Sequence, residues 1–142
     1  MRCEEIMKRE VECVEPTEPV QAAARRMRDA NVGFLPVCDS SRKVLGAITD
    51  RDIAIRIVAE GRPPTTAAAD VMTPEVVACR PDDDVTDAEQ LTGKRQKSRM
   101  LVTDENGRLV GVISLSDIAQ VEEASRASET MRQVTHREAR PH

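Results

Sequence analysis

The chain has 142 residues, a formal net charge of −4 and a single aromatic residue, Phe34. A core of Val, Ile, Leu, Met and Ala is within reach at this length, but two fifty-residue units folding separately would each be marginal. The lack of aromatic side chains argues against a stacking platform for single-stranded nucleic acid, and the acidic balance against a broad polyanion-binding face.

In chain order, Val11 to Val14 reads as a short β-prone run closed by Pro16, after which Thr17 stands where a helix N-cap belongs. Val20, Ala23, Ala24 and Met27 then recur at helical spacing, with Arg25, Arg26 and Arg28 facing away, and Asn31 and Gly33 are placed to end that helix. Phe34 to Cys38 reads as a strand, Asp39 to Lys43 as a turn, and Val44 to Thr49 as the returning hairpin partner. Asp50-Arg51-Asp52 opens a second helix carrying Ile53, Ile57 and Val58 and stopped by Gly61. A Pro- and Ala-rich linker follows.

The same plan then recurs. Val76 to Cys79 is a strand closed by Pro81, Asp82 a helix N-cap, and Asp104-Glu105-Asn106-Gly107 a hairpin turn. The first helix of this half is poorer, with Thr92 in place of Met27 and Gly93 beside it. Glu122 to Gln133 has only the weak apolar stripe of Val121, Ala124 and Met131, and Thr135 to His142 reads as disordered tail.

The two halves are one sequence used twice, at a constant offset of 65 residues without a gap. Met7 matches Met72, Glu10-Val11 matches Glu75-Val76, Pro16 matches Pro81, Gly46 matches Gly111, and Asp52-Ile53-Ala54 matches Asp117-Ile118-Ala119. Such a repeat is one supersecondary unit used twice, each too small to bury its own apolar face. The halves are therefore expected to pack with pseudo-twofold symmetry, so that a site in one has a counterpart in the other.

The four cysteines form no C-x-x-C pair, and both histidines fall in the last seven residues, so no zinc-ligand spacing exists and no metal is expected. The thiols read as small core hydrophobes, and nothing close in sequence would lower the pKa of Cys3. No apolar run resembles a signal peptide or approaches the roughly 20 residues of a membrane span. The expected setting is cytoplasmic and reducing.

The Ile6-Met7 lead-in, the Val32-Gly33-Phe34-Leu35-Pro36-Val37 strand and the Gly46-x-Ile48-Thr49-x-x-Asp52 ending recur with their second-half partners. With them the chain resembles a tandem pair of cystathionine-β-synthase (CBS) domains, of the stand-alone bacterial type. The resemblance covers about residues 4–121. It implies an α/β (α+β) fold: two β-α-β-β-α repeats packed sheet to sheet as one module, with residues 4–61 and 69–121 as the repeats, 62–68 as linker and 122–142 as a polar tail. It also implies clefts between the repeats that bind adenosine-containing ligands (AMP, ADP, ATP or S-adenosylmethionine) as regulators rather than catalytic cofactors, and assembly as a homodimer.

The residues suit such a ligand. In each half a strand ends at Thr49 or Ser114 and a helix begins, whose free N–H groups and partial positive charge attract a phosphate. Asp52 and Asp117, in the first helical turn, can accept both hydroxyls of a ribose. Arg51 supplies a planar donor fork for phosphate, and Asp50 and Ser116 complete the two junctions. Gly46 and Gly111 leave space for a ligand or a backbone to come close. Val11, Cys13, Leu35 and Pro36 in one half, and Val76, Met100 and Leu101 in the other, can sandwich an adenine; Arg99 or Lys97 can compensate for the arginine missing beside Ser114, the plainer account of both being solvated edge-strand charges. A plainer account stands beside this one: Thr49 and Ser114 as helix caps, and Asp52 and Asp117 as complements to the helix dipole. No set of nucleophile, base and orienting group is visible, so the chain reads as a ligand-sensing module acting on another protein and not as an enzyme. The alternative is a structural or dimerisation module with vestigial clefts.

Overall fold

The computed structural model describes residues 1–95, 99–114, 118 and 131–135. The chain forms two compact units that do not coincide with the sequence repeats: residues 12–76 form one, and residues 1–11 with 77–142 form the other. Each repeat gives its lead-in segment to the other unit.

The unit of residues 12–76 contains α1 (Val20–Ala30), β1 (Phe34–Cys38), β2 (Val44–Thr49) and α2 (Asp50–Ile53), which widens into a π-helical turn over Ala54–Val58. β1 and β2 pair antiparallel, with a bulge between Val37 and Cys38. Val14 bridges β1 in parallel on one side, and Thr73 bridges Ala47 of β2 on the other. The second unit repeats this arrangement. β3 (Ala78–Cys79) pairs parallel with β4 (Arg99–Thr103), β4 pairs antiparallel with β5 (Leu109–Ser114), and Lys8 bridges Val112 of β5; α3 (Val85–Arg95) joins β3 to β4.

The pseudo-symmetry extends to single hydrogen bonds. The Ala68 N–H donates to the Glu18 carbonyl at 2.8 Å, and the Cys3 N–H to the Asp83 carbonyl at 2.9 Å. Val20 donates to Thr66 at 2.7 Å, and Val85 to Met1 at 2.8 Å. Each core takes apolar groups from the lead-in segment: Ala68 and Val71 pack with Val14, Leu35, Val37 and Ile48, while Cys3 and Met7 pack with Cys79, Met100, Val102 and Ile113. A segment of about ten residues with so few apolar groups cannot hold itself; each hairpin carries further chain on both sides, Val14 and Thr73 in one unit, β3 and Lys8 in the other.

The structure corrects several local expectations. Val11 to Val14 is not a strand, since only Val14 bridges β1, and its counterpart is two residues long. The helix caps lie later than Thr17 and Asp82: α1 is preceded by Pro19, and Asp84 accepts the Thr86 N–H at 2.7 Å. The residues before each helix are held in bridges, Pro19 to Ala67 and Arg2 to Asp84, so helical winding starts only after them. Asn31, in the left-handed region at φ 55°, ends α1 as expected. Val58 is 73% exposed while Ile57 is buried, because the π-helical turn presents Ile57 to the core and carries Val58 outward. Of the tail, residues 131–135 are helical with Val134 buried; the rest of the expected helix and the expected disorder lie outside the described residues.

Candidate functional site

The strand-to-helix junction at Thr49 is the best-defined candidate. Thr49 is still extended (φ −116°, ψ 164°) and Asp50 starts α2. The Thr49 hydroxyl oxygen accepts the Asp52 N–H at 3.1 Å, and Asp52 Oδ2 accepts the Thr49 N–H at 3.0 Å, a reciprocal capping box. The Asp50 N–H donates to the Gly33 carbonyl at 3.0 Å and the Arg51 N–H to Asp50 Oδ1 at 2.8 Å. The expected free N–H groups at this helix start are therefore already satisfied by the protein. An anion here would be met by side chains, not by the backbone.

Two groups retain capacity. The Thr49 hydroxyl accepts, so its own proton is left to donate. Arg51 is exposed, with no side-chain hydrogen bond or ion pair among the described residues. Asp52 is more enclosed, with its side chain 15% exposed; its Oδ1 faces the Arg56 Nε at 3.9 Å. Arg56 also donates through Nη1 to the carbonyls of Val71 (3.0 Å) and Met72 (3.1 Å), tying the lead-in segment to α2. Sequence reading missed this clamp, although the four-residue spacing from Asp52 to Arg56 on one helix face was a signal for it.

Gly33 was read as a helix stop, yet its φ is not positive. It is instead the floor under Asp50: a β-carbon there would stand 2.6 Å from Asp50 Oδ2. Gly46 and Gly111 make room for backbone and Met sulfur of the exchanged segments, Thr73 with Met72 and Lys8 with Met7 respectively.

The remaining candidates divide between the two units. Leu35, Pro36, Met100 and Leu101 are buried in their units, Cys13, Val76 and Val11 are half-buried, and Arg99 is exposed at the start of β4, opposite Ser114 at the end of β5. Ser116 and Asp117 lie outside the described residues. So does Lys97. Arg26, expected to be a solvated charge, is half-buried, with its guanidinium on Glu18 at 2.7 Å and on the Cys13 carbonyl at 2.8 Å. Among the described residues no group of three or more His, Cys, Asp or Glu is placed to hold a metal ion, and no helix is long and apolar enough to cross a membrane.

The CBS domain matches the chain twice, over residues 3–59 and 68–124. The CBS domain-containing protein YhcV of Bacillus subtilis is 39% identical over 113 residues, covering 80% of this chain and 79% of YhcV. Hypoxic response protein 1 of Mycobacterium tuberculosis is 33% identical over 117 residues, 82% of this chain and 81% of that protein. The crystal structure of hypoxic response protein I with two coordinated zinc ions superposes with a TM-score of 0.78 at 31% identity, over 87% of this chain and all of that one. The CBS domain pair of protein MJ0100, in complex with 5′-methylthioadenosine and S-adenosyl-L-methionine, has the same fold (TM-score 0.75, 24% identity, 85% of this chain and 94% of that one).

Proposed function

Because the chain belongs to the CBS domain family, with two copies of the domain in tandem, we propose that it is a regulatory module that binds an adenosine-containing ligand (AMP, ADP, ATP or S-adenosylmethionine) and passes the resulting conformational change to a partner protein. The observation that carries this reading is the Thr49 junction: an exposed Arg51 with no side-chain partner among the described residues stands two residues from a hydroxyl that still has a proton to donate. Arg51 and Thr49 take the phosphate or carboxylate end of the ligand, and Asp52 Oδ1 accepts from the ribose. Cys13 and Val76, half-buried in the same unit, are apolar groups open to an adenine. Ser114, Ser116, Asp117 and Arg99 form the weaker second site, which lacks a counterpart of Arg51. The adenosyl ligands bound by the MJ0100 pair support the ligand class. A ligand can shift the module only as far as its affinities for the two states differ.

The test is calorimetry on the full chain with AMP, ADP, ATP and S-adenosylmethionine. Arg51→Ala and Asp52→Ala are each expected to weaken the tightest ligand by about 1.5–3 kcal/mol, as for a lost hydrogen bond to a charged group. Unchanged affinity in both variants rejects the assignment. The capping box favours a second reading, since it gives Thr49 and Asp52 a role without any ligand. That reading, a structural module with a vestigial site, prevails if no adenosyl compound at millimolar concentration raises the melting temperature.

The proposal extends to a cytoplasmic homodimer. Ile55 and Val58, 44% and 73% exposed on the outer face of the α2 extension, suit burial against a second copy. Val58→Asp should convert the dimer to a monomer in light scattering; an unchanged mass assigns the dimer contact elsewhere.

A further inference from the structure

We propose that Cys3 and Cys79 form a reversible disulfide that fastens the chain's first segment to the unit built from the second repeat. The two residues are 76 apart in sequence, yet their sulfurs lie 3.6 Å apart, with the Cys79 thiol donating to Cys3. Both belong to the same core, Cys3 fully buried and Cys79 7% exposed. Closing the pair to a disulfide brings the sulfurs from 3.6 Å to about 2.05 Å. The pseudo-equivalent positions in the other unit are Ala68 and Val14, also fully buried in one core. Apolar packing is therefore enough to build this contact, and at these paired positions only one unit carries thiols.

The hydrogen bond from Cys79 holds the Cys3 thiol below its ordinary value of 9.0, against the opposing effects of burial and of Asp83, Asp84 and Asp87. Cys3 is thus the more acidic partner and the attacking thiolate. With a peroxide as oxidant, its sulfur attacks one peroxide oxygen; the O–O bond breaks, water leaves, and Cys3 becomes a sulfenic acid. The Cys79 sulfur then attacks the Cys3 sulfur, the S–S bond forms, and the sulfenic oxygen leaves as a second water. Two thiols and one hydrogen peroxide give one disulfide and two waters, the sulfurs supplying both electrons. The oxidant reaches Cys3 when the turn Cys3–Glu5 opens locally from Pro81 and Asp83. Once formed, the disulfide lies inside the core, so its reduction, like its formation, waits on local opening of the Cys3–Glu5 turn.

The test uses the full chain, reduced and then treated with one equivalent of hydrogen peroxide. Intact mass should fall by two hydrogen atoms, and peptide mapping should find Cys3 joined to Cys79 within one chain. The melting temperature should rise by at least about 5 °C and return on reduction, as expected for a cross-link closing a long loop. Cys3→Ala and Cys79→Val, which copy the residues at the equivalent positions of the other unit, should abolish the rise. A map that leaves Cys3 and Cys79 unlinked, or joins either to Cys13, Cys38 or a second chain, overturns the proposal, and that map is decisive whether or not the variants fold.

Discussion

Gly46 and Thr73 come so close that a β-carbon on Gly46 would stand 2.7 Å from the Thr73 carbonyl oxygen, with the Pro74 Cα at 3.2 Å. Both obstacles are backbone, and Thr73 is fixed by two hydrogen bonds to Ala47, at 2.8 and 2.9 Å. Gly46→Ala therefore has to push the exchanged segment off β2, and its expected cost is about 1–3 kcal/mol in a denaturant melt. Gly33→Ala meets only the end of the Asp50 side chain, which can turn away, so its cost should stay below about 1 kcal/mol. Equal costs for the two changes would show that the segment yields.

The capping box predicts coupled losses. Thr49→Ala and Asp52→Ala each remove one half of a reciprocal pair and should destabilise by about 1 kcal/mol. The double variant should cost less than the sum, because losing either of the two bonds already loosens the helix start that the other one holds. Arg51→Ala should leave the melting temperature unchanged, so any loss of ligand binding in that variant reports on binding alone.

Arg56 offers a third test. Arg56→Ala leaves the carbonyls of Val71 and Met72 without their guanidinium donor at the point where the lead-in segment crosses α2. A loss of about 1–3 kcal/mol is expected, the range for a hydrogen bond from a charged group. Hydrogen exchange should show the segment around Val71 opening more often; unchanged protection there would mean that core burial of Val71 suffices.

Acid stability follows from Glu18. Burial disfavours its charge, but the Glu15 N–H and the Arg26 guanidinium together prevail and hold its carboxyl below the ordinary value of 4.5. A carboxylate whose pKa is lower folded than unfolded stabilises the fold above its unfolded value and loses that contribution as pH falls through its folded value. Glu18→Gln should flatten the decline of melting temperature below about pH 4.5 and leave a smaller difference from the parent there than at pH 7. A parallel offset at every pH would remove Glu18 from the acid response.

The fold was legible because the repeat supplied each reading twice. Helix α1, both hairpins and the Asn31 stop follow from local spacing and turn chemistry, which are short-range properties of the chain. The exchange of lead-in segments was not legible. Its partners, Thr73 with Ala47 and Lys8 with Val112, are paired through backbone groups that every residue carries, so no side-chain pattern announces them. The same pairing displaced the helix starts from Thr17 and Asp82. At the candidate site, Thr49 and Asp52 stand together as their spacing implied, but the saturation of the helix N–H groups depended on where Gly33 and Asp50 met, which only tertiary structure fixes. Leu35 and Met100 read as apolar walls and lie in the interior, since hydrophobicity alone cannot distinguish a ligand wall from a core.

Segment exchange also sets an order for biosynthesis. The unit spanning 12–76 can close as soon as Thr73 has emerged from the ribosome, whereas the other must wait for Val112, far downstream of its partner Lys8. Cys3, Ile6 and Met7 thus wait without their core partners until the chain around Val112 has been made.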